Sequence, residues 1–339
     1  MRHLILSIAI ASLSLGLSIP SQGQDIHFSQ FFLTDLSTDP SLTGRFDSDY
    51  RISGVHRVQW RSVTLPYSTF QFTADAHDFQ QIKGLGLGLR IMNDRAGDSR
   101  FNTFSMAALI SKATPMDDEG RTELRSGLSI GFTQKRIDFD ALRFDAQYDG
   151  TLYDASLSDG ELLRGDKVSH LDVHAGLSVI RYQQRGRMRL LGLSIWNLST
   201  PDVSFKQDVS VFLRQRHSVY GEYSVGLDDN WDIIPSGRMM WQGPYQEYLL
   251  GTRIRHTWEY SALAKRRAYI GALARWNDGA YICFGFERDE WIFGMSYDVN
   301  LSPLEVASRN RGALELTAIY LMDVFREERV LHRKCLRIL

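Results

Sequence analysis

The sequence predicts an all-β protein, a transmembrane antiparallel β-barrel of about 14 strands of the outer-membrane type. Three observations predict this fold. The chain begins like an exported protein, and no later stretch stays apolar over the length of a transmembrane helix. Most ordered segments alternate in polarity with a period of two. With 339 residues, the chain is long enough to form one large barrel.

The composition of the chain narrows the functional classes. Hydrophobic residues make up 43% of the chain and charged residues 23%, which is too polar for a protein built from many transmembrane helices. The formal net charge of −1 gives no field that attracts nucleic acid. We therefore expect membrane lipid and other proteins as partners, and no nucleic acid.

The first 23 residues have the layout of a cleavable signal peptide. Met1–His3 is basic, Leu4–Ile19 is apolar apart from Ser and Gly, and small residues stand at Ser21 and Gly23 before the expected cut. The alternative is a single membrane anchor, but the apolar run is shorter than the roughly 20 residues that cross a bilayer. We predict that residues 1–23 are removed and that the mature protein lies in the cell outer membrane.

The rest of the chain is dominated by runs in which apolar and polar residues alternate. In one run Phe70 and Phe72 fall on one face, while Thr69 and Gln71 fall on the other. Turn residues such as Asn277–Gly279 separate the runs. Strands are predicted near residues 50–60, 68–78, 83–91, 100–110, 123–134, 171–182, 187–197, 216–227, 231–242, 246–258, 267–276, 280–287, 291–301 and 312–322.

The length of these runs favours a membrane barrel over a soluble β-sandwich. A tilted membrane strand needs about 9–11 residues, whereas soluble strands usually have about 5 or 6. Aromatic residues cluster where the runs begin and end, which is typical of girdles at membrane interfaces. They are Tyr50, Trp60, Tyr67, Tyr182, Trp196, Trp231, Trp241, Trp258, Trp276, Trp291 and Tyr320. An even number of strands places both chain ends on the periplasmic side.

The segments around the strands complete the predicted organisation. We expect an N-terminal periplasmic segment at 24–49, the barrel at 50–322 and a basic C-terminal periplasmic tail at 323–339. For residues 138–170 the sequence predicts a long loop with a helical turn near Leu162. Long loops of this kind lie outside the cell in outer-membrane barrels. In residues 281–287 both faces are apolar, which is compatible with a plug or a loop packed inside the barrel.

The sequence contains no catalytic constellation, so we expect neither an enzyme nor a bound cofactor. Motifs of serine hydrolases, zinc proteases and phosphate-binding loops are absent from it. His170, Asp172 and His174 share one face of a predicted strand, where histidines that line the lumen are a simpler interpretation than metal ligands. The acidic turn at 93–98 lacks the spacing of an EF-hand calcium loop.

The start of the mature chain carries a more specific pattern. Gln24–Phe31 (QDIHFSQF) is followed by Asp39–Gly44 (DPSLTG), and Cys335–Leu339 ends the chain. In their order and spacing these motifs resemble the PorP/SprF family of type IX secretion system membrane proteins, which opens with QDxxFSQ and Asn-Pro-Ala-x-x-Gly. The residues that carry the resemblance, and that are our candidates for partner binding, are Gln24, Asp25, His27, Phe28, Ser29, Gln30, Phe31, Pro40, Gly44, Tyr50, Arg51, Gln59, Trp60 and Cys335.

The resemblance implies an outer-membrane component of the type IX secretion system that binds proteins. It implies a role in secretion or in surface anchoring of cargo or adhesin proteins, which serves gliding in some members. Its partners would be other type IX components in the periplasm and outer membrane and one secreted cargo or adhesin. Asp39, Ser41, Leu336 and Ile338 depart from the family's usual Asn, Ala, Pro and Phe, so no subfamily is assigned.

Two alternatives remain open from the residues. One is a passive or substrate-selective outer-membrane pore, which the predicted lumen residues Arg90, Arg125 and Arg253 would allow. The other is an outer-membrane hydrolase, such as a barrel phospholipase, which would need a His-Ser pair facing lipid. Planar-bilayer conductance separates a pore from a binding protein.

Overall fold

The computed structural model describes residues 25–59, 65–97, 100–139, 142–148, 150, 152–154, 156, 157, 160, 164–261, 264–301 and 311–324. The predicted signal peptide, Gln24, Trp60 and the helical turn near Leu162 lie outside these residues, as do residues 325–339 of the predicted tail, with Cys335.

The described chain is almost entirely strand. The strands are β1 Tyr50–Gln59, β2 Tyr67–Ala76, β3 Leu85–Ala96, β4 Phe101–Pro115, β5 Thr122–Arg136, β6 Lys167–Tyr182, β7 Met188–Trp196, β8 Arg216–Tyr223, β9 Val225–Gly226, β10 Trp231–Gln242, β11 Tyr245–Tyr260, β12 Lys265–Arg275, β13 Gly279–Arg288, β14 Trp291–Asn300 and β15 Arg311–Met322. A four-residue α-helix covers Asp35–Thr38, and 3₁₀ turns cover Phe31–Leu33, Pro40–Leu42, Phe79–Gln81, Asp145–Gln147 and Gln184–Gly186. No helix among the described residues is long and apolar enough to span a bilayer.

The strands form one closed antiparallel sheet. Successive strands pair with each other, and β1 also pairs with β15, with Tyr50 opposite Met322 and Gln59 opposite Ala313. β8 and β9 are separated by Ser224 and both pair with β10, so they act as one interrupted strand. The result is a barrel of 14 strands, which confirms the predicted fold class. Closure pairs the backbone groups of every strand with two neighbours and leaves no open edge.

The wall of the barrel is polar inside and apolar outside. In β2, Thr69 and Gln71 are buried on the inner face, while Phe70 points outward with 52% of its surface exposed. The outward Ile130 in β5 and Leu191 in β7 are 63% and 64% exposed. Because hydrocarbon solvates such side chains better than water does, this outer surface suits a lipid bilayer.

Three of the predicted girdle aromatics face inward instead of outward. Trp196 is buried on the inner face of β7, two residues after the buried Ser194. The Tyr182 hydroxyl donates a hydrogen bond of 2.7 Å to Glu123 inside the barrel. Tyr67 shares the face of Thr69 in β2 and lines a cavity inside the barrel. The prediction was wrong for these three residues because side chains two positions apart on a strand share a face, and here that face is the lumen.

Two segments predicted as loop or turn belong to strands. β6 begins at Lys167, so the long loop ends before His170, because residues 167–169 pair with the end of β5. Asn93 and Asp94, expected in a turn, lie within β3, and Asp94 accepts a hydrogen bond of 2.6 Å from the Thr69 hydroxyl. Both strands are therefore longer than their alternation of apolar residues indicated.

Residues 25–45, which belong to the segment 24–49 predicted to lie in the periplasm, are inside the barrel, whereas Asp47 is exposed beside Lys265. We call residues 25–45 the lumen segment. Phe31 and Phe32 of this segment join a buried cluster with Tyr281 and Cys283 of β13. This cluster explains the apolar inner face of β13, for which the sequence allowed a plug or a loop inside the barrel.

The two ends of the barrel differ. One end, which we call the terminal end, holds the start of β1 at Tyr50 and the end of β15 at Met322. The opposite end, the long-loop end, carries the two longest connections of the described strands, 137–166 and 197–215. Between these ends the lumen segment occupies the interior.

Candidate functional site

The lumen segment runs along the barrel from the long-loop end to the terminal end. The Asp25 amide donates a hydrogen bond of 3.0 Å to Gln242, the last residue of β10 at the long-loop end. The Gly44 amide donates one of 2.8 Å to Asp75, near the end of β2 at the terminal end. All 14 barrel strands contact the segment through a side chain or a glycine.

Two buried carboxylates hold the upper part of the lumen segment, by which we mean the part nearer the long-loop end. The backbone amides of Ser29 and Gln30 donate hydrogen bonds of 2.8 and 2.9 Å to the two carboxylate oxygens of Glu315. The Ser29 hydroxyl donates one of 2.8 Å to Asp298. Arg57 binds both carboxylates, at 3.0 Å to Glu315 and 2.9 Å to Asp298. Arg275 lies 3.8 Å from Asp298, so two cations compensate the two carboxylates, as burial of a carboxylate requires.

A second ionic group holds the lower part of the lumen segment, which is the part nearer the terminal end. Asp35 accepts hydrogen bonds of 2.6 Å from both Arg45 and Arg51. Arg51 also binds Asp75 through two nitrogens, at 2.9 and 2.8 Å, and Asp75 accepts the Gly44 amide. The segment and the wall therefore share one network, in which Asp35, Arg45 and Gly44 come from the segment.

An apolar cluster lies between the two ionic groups. Phe31 meets Tyr220 edge-on with ring centroids 6.5 Å apart, and Phe32 meets Tyr269 at 5.8 Å. The Arg253 guanidinium lies 3.5 Å from the centroid of the Phe32 ring. The buried members of this apolar cluster are Phe31, Phe32, Leu42, Ile180, Leu190, Tyr220, Leu249, Leu273, Tyr281 and Cys283. At this level the interior is packed like the core of a soluble protein.

Glycines of the wall allow the segment to approach closely. A Cβ atom at Gly176 would lie 1.7 Å from Oδ1 of Asp39, and one at Gly127 would lie 2.4 Å from the carbonyl group of Pro40. Asp39 caps the Pro40–Leu42 turn by accepting a 2.6 Å hydrogen bond from the Ser41 amide, and it accepts another of 2.9 Å from Tyr220. Larger residues at these two glycines would push the segment off the wall.

Above the lumen segment, a cavity of about 770 Å³ opens at the long-loop end. We call it the vestibule. Its lining includes Asp25–His27 at the start of the segment, Trp196, and Val211 and Phe212 from the 197–215 connection. His27 pairs with Glu247 at 2.7 Å and so holds the start of the segment against β11. The vestibule therefore has the segment as its floor and loop residues at its rim.

Basic side chains on the vestibule wall surround Trp196. The guanidinium carbons of Arg90 and Arg216 lie 4.8 and 4.9 Å from the centroid of a Trp196 ring. Lys135 lines the same cavity. The His174 ring lies beside Trp196, with centroids 4.3 Å apart, and its Nδ1 accepts a 3.0 Å hydrogen bond from the Asn197 amide. No group of three or more metal-ligand side chains is close enough to hold an ion within the described part of the chain.

The structure brings most of the described candidate residues into one place. Asp25, His27, Phe28, Ser29, Gln30, Phe31, Pro40 and Gly44 lie in the lumen segment, Arg51 binds it, and Gln59 lines the vestibule. Tyr50 lies apart from them, 39% exposed at the terminal end. Gln24, Trp60 and Cys335 fall outside the described residues.

Apart from Arg51, the sequence analysis did not identify the wall residues that bind the segment, above all Glu315, Asp298 and Asp75. Each stands on the polar face of an alternating strand, where a water-filled lumen would explain it equally well. The negative charge of these residues could have indicated that they bind a partner inside the barrel. A carboxylate in the middle of a predicted membrane strand, as Glu315 is in Gly312–Tyr320, needs a partner because an isolated charge is costly at that depth.

The chain is similar to proteins of one sequence family and to barrels among the solved structures. A family model described as "Type IX secretion system membrane protein PorP/SprF" matches residues 21–320. No curated protein matches the sequence. The Pseudomonas putida toluene transporter TodX is similar at 9% identity over 87% of this chain and 93% of that chain, with a TM-score of 0.46. The Ralstonia pickettii toluene transporter TbuX is similar at 8% identity over 85% and 92%, with a TM-score of 0.45. The CymD monoaromatic hydrocarbon channel is similar at 9% identity over 90% and 96%, with a TM-score of 0.45.

Proposed function

The chain belongs to the PorP/SprF family of type IX secretion system membrane proteins, and we propose that its barrel holds a secreted partner protein at the cell surface by binding it in the vestibule. It is an outer-membrane component of that secretion system. Within the system, its contribution is binding, without bond chemistry. The partner is a cargo or adhesin protein, including those that serve gliding, and the chain itself reaches the membrane by means of its cleavable signal peptide.

The observation that carries this proposal is that the barrel is filled at mid-height and open above. The lumen segment and the wall bury Phe31, Leu42, Tyr220 and Leu249 almost completely. A molecule that enters from the long-loop end therefore meets the floor of the vestibule instead of a passage. This geometry supports docking and speaks against the alternative of a passive or substrate-selective pore.

The position of the loops supports a vestibule that faces outward. In outer-membrane barrels, short turns lie in the periplasm, and longer loops lie outside the cell. Here the two longest connections of the described strands, 137–166 and 197–215, lie at the vestibule end, and the strand ends Tyr50 and Met322 lie at the opposite end. A protein that has just been secreted would meet the long-loop end, while periplasmic components of the machinery would meet the terminal end.

The rim of the vestibule offers apolar side chains to a partner. Phe212 and Trp276 line the cavity and are 61% and 74% exposed, and Val211 is 40% exposed. Exposed aromatic residues around a cavity are typical anchors of protein interfaces, because they bury a large area at low cost in side-chain entropy. We expect them to receive apolar side chains of the partner.

The test is site-specific photo-crosslinking in cells that carry the secretion system. A photoreactive phenylalanine at position 212 or 276 is expected to crosslink to a secreted protein that also copurifies with the tagged barrel. Its matched control is position 258, because Trp258 is 64% exposed on the outer wall near the terminal end. Crosslinks from positions 212 and 276 only to lipid or to unrelated barrels, or an equal crosslink from 258, would refute the proposal.

A further inference from the structure

We propose that the wall of the vestibule contains a binding site for a carboxylate of the docked partner, formed by Arg90, Lys135 and Arg216 around Trp196. The inference rests on the proposed function, since it names the chemical group by which the partner is held. The site is distinct from the two ionic groups around Glu315 and Asp35 that hold the lumen segment.

Arg90 is a buried cation with no ionic partner in the part of the chain that the structure describes. It is 7% exposed, its Nε has no hydrogen-bond partner, and no ion pair involves it among the described residues. Its contact with the Trp196 ring satisfies the face of the guanidinium but none of its N–H groups. A buried charge in this condition costs free energy that an incoming anion would recover.

Arg216 is only partly compensated. It is also 7% exposed, and its Nε has no hydrogen-bond partner among the residues that the structure describes. Its Nη1 lies 3.4 Å from the Ile26 carbonyl oxygen and 3.9 Å from Asp25 Oδ2, which is near the outer limit of an ion pair. The guanidinium therefore keeps donors available toward the cavity.

The carboxylates nearby are engaged elsewhere. Asp172 accepts a hydrogen bond from Thr133 and lies 3.2 Å from His170. Asp25 accepts one of 2.6 Å from the Asn197 amide group. The charged side chains that line the cavity are Arg57, Arg90, Lys135, Arg214, Arg216 and Arg275 on the basic side, and Asp25, Asp94, Asp172, Glu247 and Asp278 on the acidic side. Basic side chains therefore exceed carboxylates by one, which a single additional negative charge would balance.

A carboxylate is the anion that fits this balance. It carries one charge, and its two oxygens match the fork of N–H donors on a guanidinium. The volume of about 770 Å³ lies within the range of roughly 300–1,000 Å³ usual for ligand sites. With Val211 and Phe212 at the rim, the cavity suits a short extended peptide whose acidic group points downward. That group is either a chain-terminal carboxylate or an Asp or Glu side chain.

The test uses the detergent-purified full chain and three defined peptides in isothermal titration calorimetry. The first is acetyl-Ala-Val-Phe with a free C-terminal carboxylate, the second is its C-terminal amide, and the third is acetyl-Ala-Glu-Phe amide. We expect the first, the third or both to bind at least tenfold more tightly than the second. Preference for the first assigns a chain terminus, and preference for the third assigns an acidic side chain.

Variants separate the site from general effects. The double variant Arg90→Gln/Arg216→Gln is expected to lose at least tenfold in affinity for the acidic peptides, while its thermal unfolding midpoint stays equal or rises because unpaired buried charges have been removed. The control Arg100→Gln changes an exposed arginine at the same end of the barrel and is expected to bind like the unmodified protein. Equal binding of the amide peptide, or of the double variant, overturns the carboxylate site.

Failure of this site and failure of the docking function are distinguishable. If the double variant still crosslinks to the secreted partner from position 212 with full yield, docking stands and the carboxylate site is overturned. If the unmodified protein crosslinks to no secreted protein but binds the acidic peptides through Arg90 and Arg216, the site stands and the docking function is refuted.

Discussion

Replacing Glu315 by glutamine removes the charge on which the upper part of the lumen segment is held. Glu315 is fully buried, accepts the amides of Ser29 and Gln30, and pairs with Arg57, which is 2% exposed. Arg57 keeps its pair with Asp298, but glutamine has one acceptor oxygen, so one buried backbone amide loses its acceptor and the other loses a charged one. Together these two losses cost about 3–5 kcal/mol. At about 1.4 kcal/mol per tenfold, the equilibrium between docked and released segment shifts by roughly two to four powers of ten.

The assay is hydrogen–deuterium exchange of residues 28–33 in detergent micelles. We expect Glu315→Gln to raise the exchange of these amides by at least about 100-fold, while the β1–β15 pairing stays protected because its backbone hydrogen bonds do not involve the side chain. The matched control is Glu259→Gln, which breaks an exposed pair with Arg266 at 3.4 Å. Such a pair is worth about 0–1 kcal/mol, so little change is expected there. Unchanged exchange of residues 28–33 in Glu315→Gln would refute the reasoning.

Two further predictions concern the wall and the loops. Gly176→Ala places a Cβ against Asp39 and is expected to destabilise the protein by about 1–3 kcal/mol, whereas a Cβ at Gly54 meets nothing within 4 Å. A lower unfolding midpoint by circular dichroism for Gly176→Ala and not for Gly54→Ala supports this, and equal midpoints contradict it. The backbone amides of residues 204 and 211 donate to Asp202 and hold the pKa of its carboxyl below the ordinary value. The order of residues 203–211 is therefore complete above about pH 3.9 and is lost as the pH falls through the lowered pKa. Exchange of these residues, corrected for intrinsic rates, should rise on acidification in the unmodified protein and be independent of pH in Asp202→Asn, and a flat profile in both would contradict the assignment.

The strands of the barrel could be predicted from the sequence because their alternation is imposed by the two environments of the wall. Phe70 faces lipid and Thr69 faces the lumen, so the hydrophobic pattern has the period of the strand. The position of an aromatic residue at a strand end did not determine whether its side chain faces lipid or the lumen. Trp196 lies at a strand end like the girdle residues, and only its parity with Ser194 places it inside.

The position of the lumen segment could not be predicted, because nothing local determines it. Residues 25–45 lack a long periodic run, and their partners are distant in sequence, as Ser29 is from Glu315. The resemblance did select residues of this segment as candidates, which the structure brings together inside the barrel. Among the wall residues that hold them it indicated Arg51 but not Glu315, Asp298 or Asp75, because a polar lumen face looks the same whether it binds water or protein.

The central claim, that residues 25–45 fill the barrel and leave a vestibule for docking, is tested most directly by conductance in planar bilayers. The full mature chain is expected to give at most small, brief openings. A variant lacking residues 25–45 is expected to give steady open channels, provided that circular dichroism shows an intact sheet. Steady channels of equal conductance from the full chain and from the deletion variant would contradict the account and favour a pore.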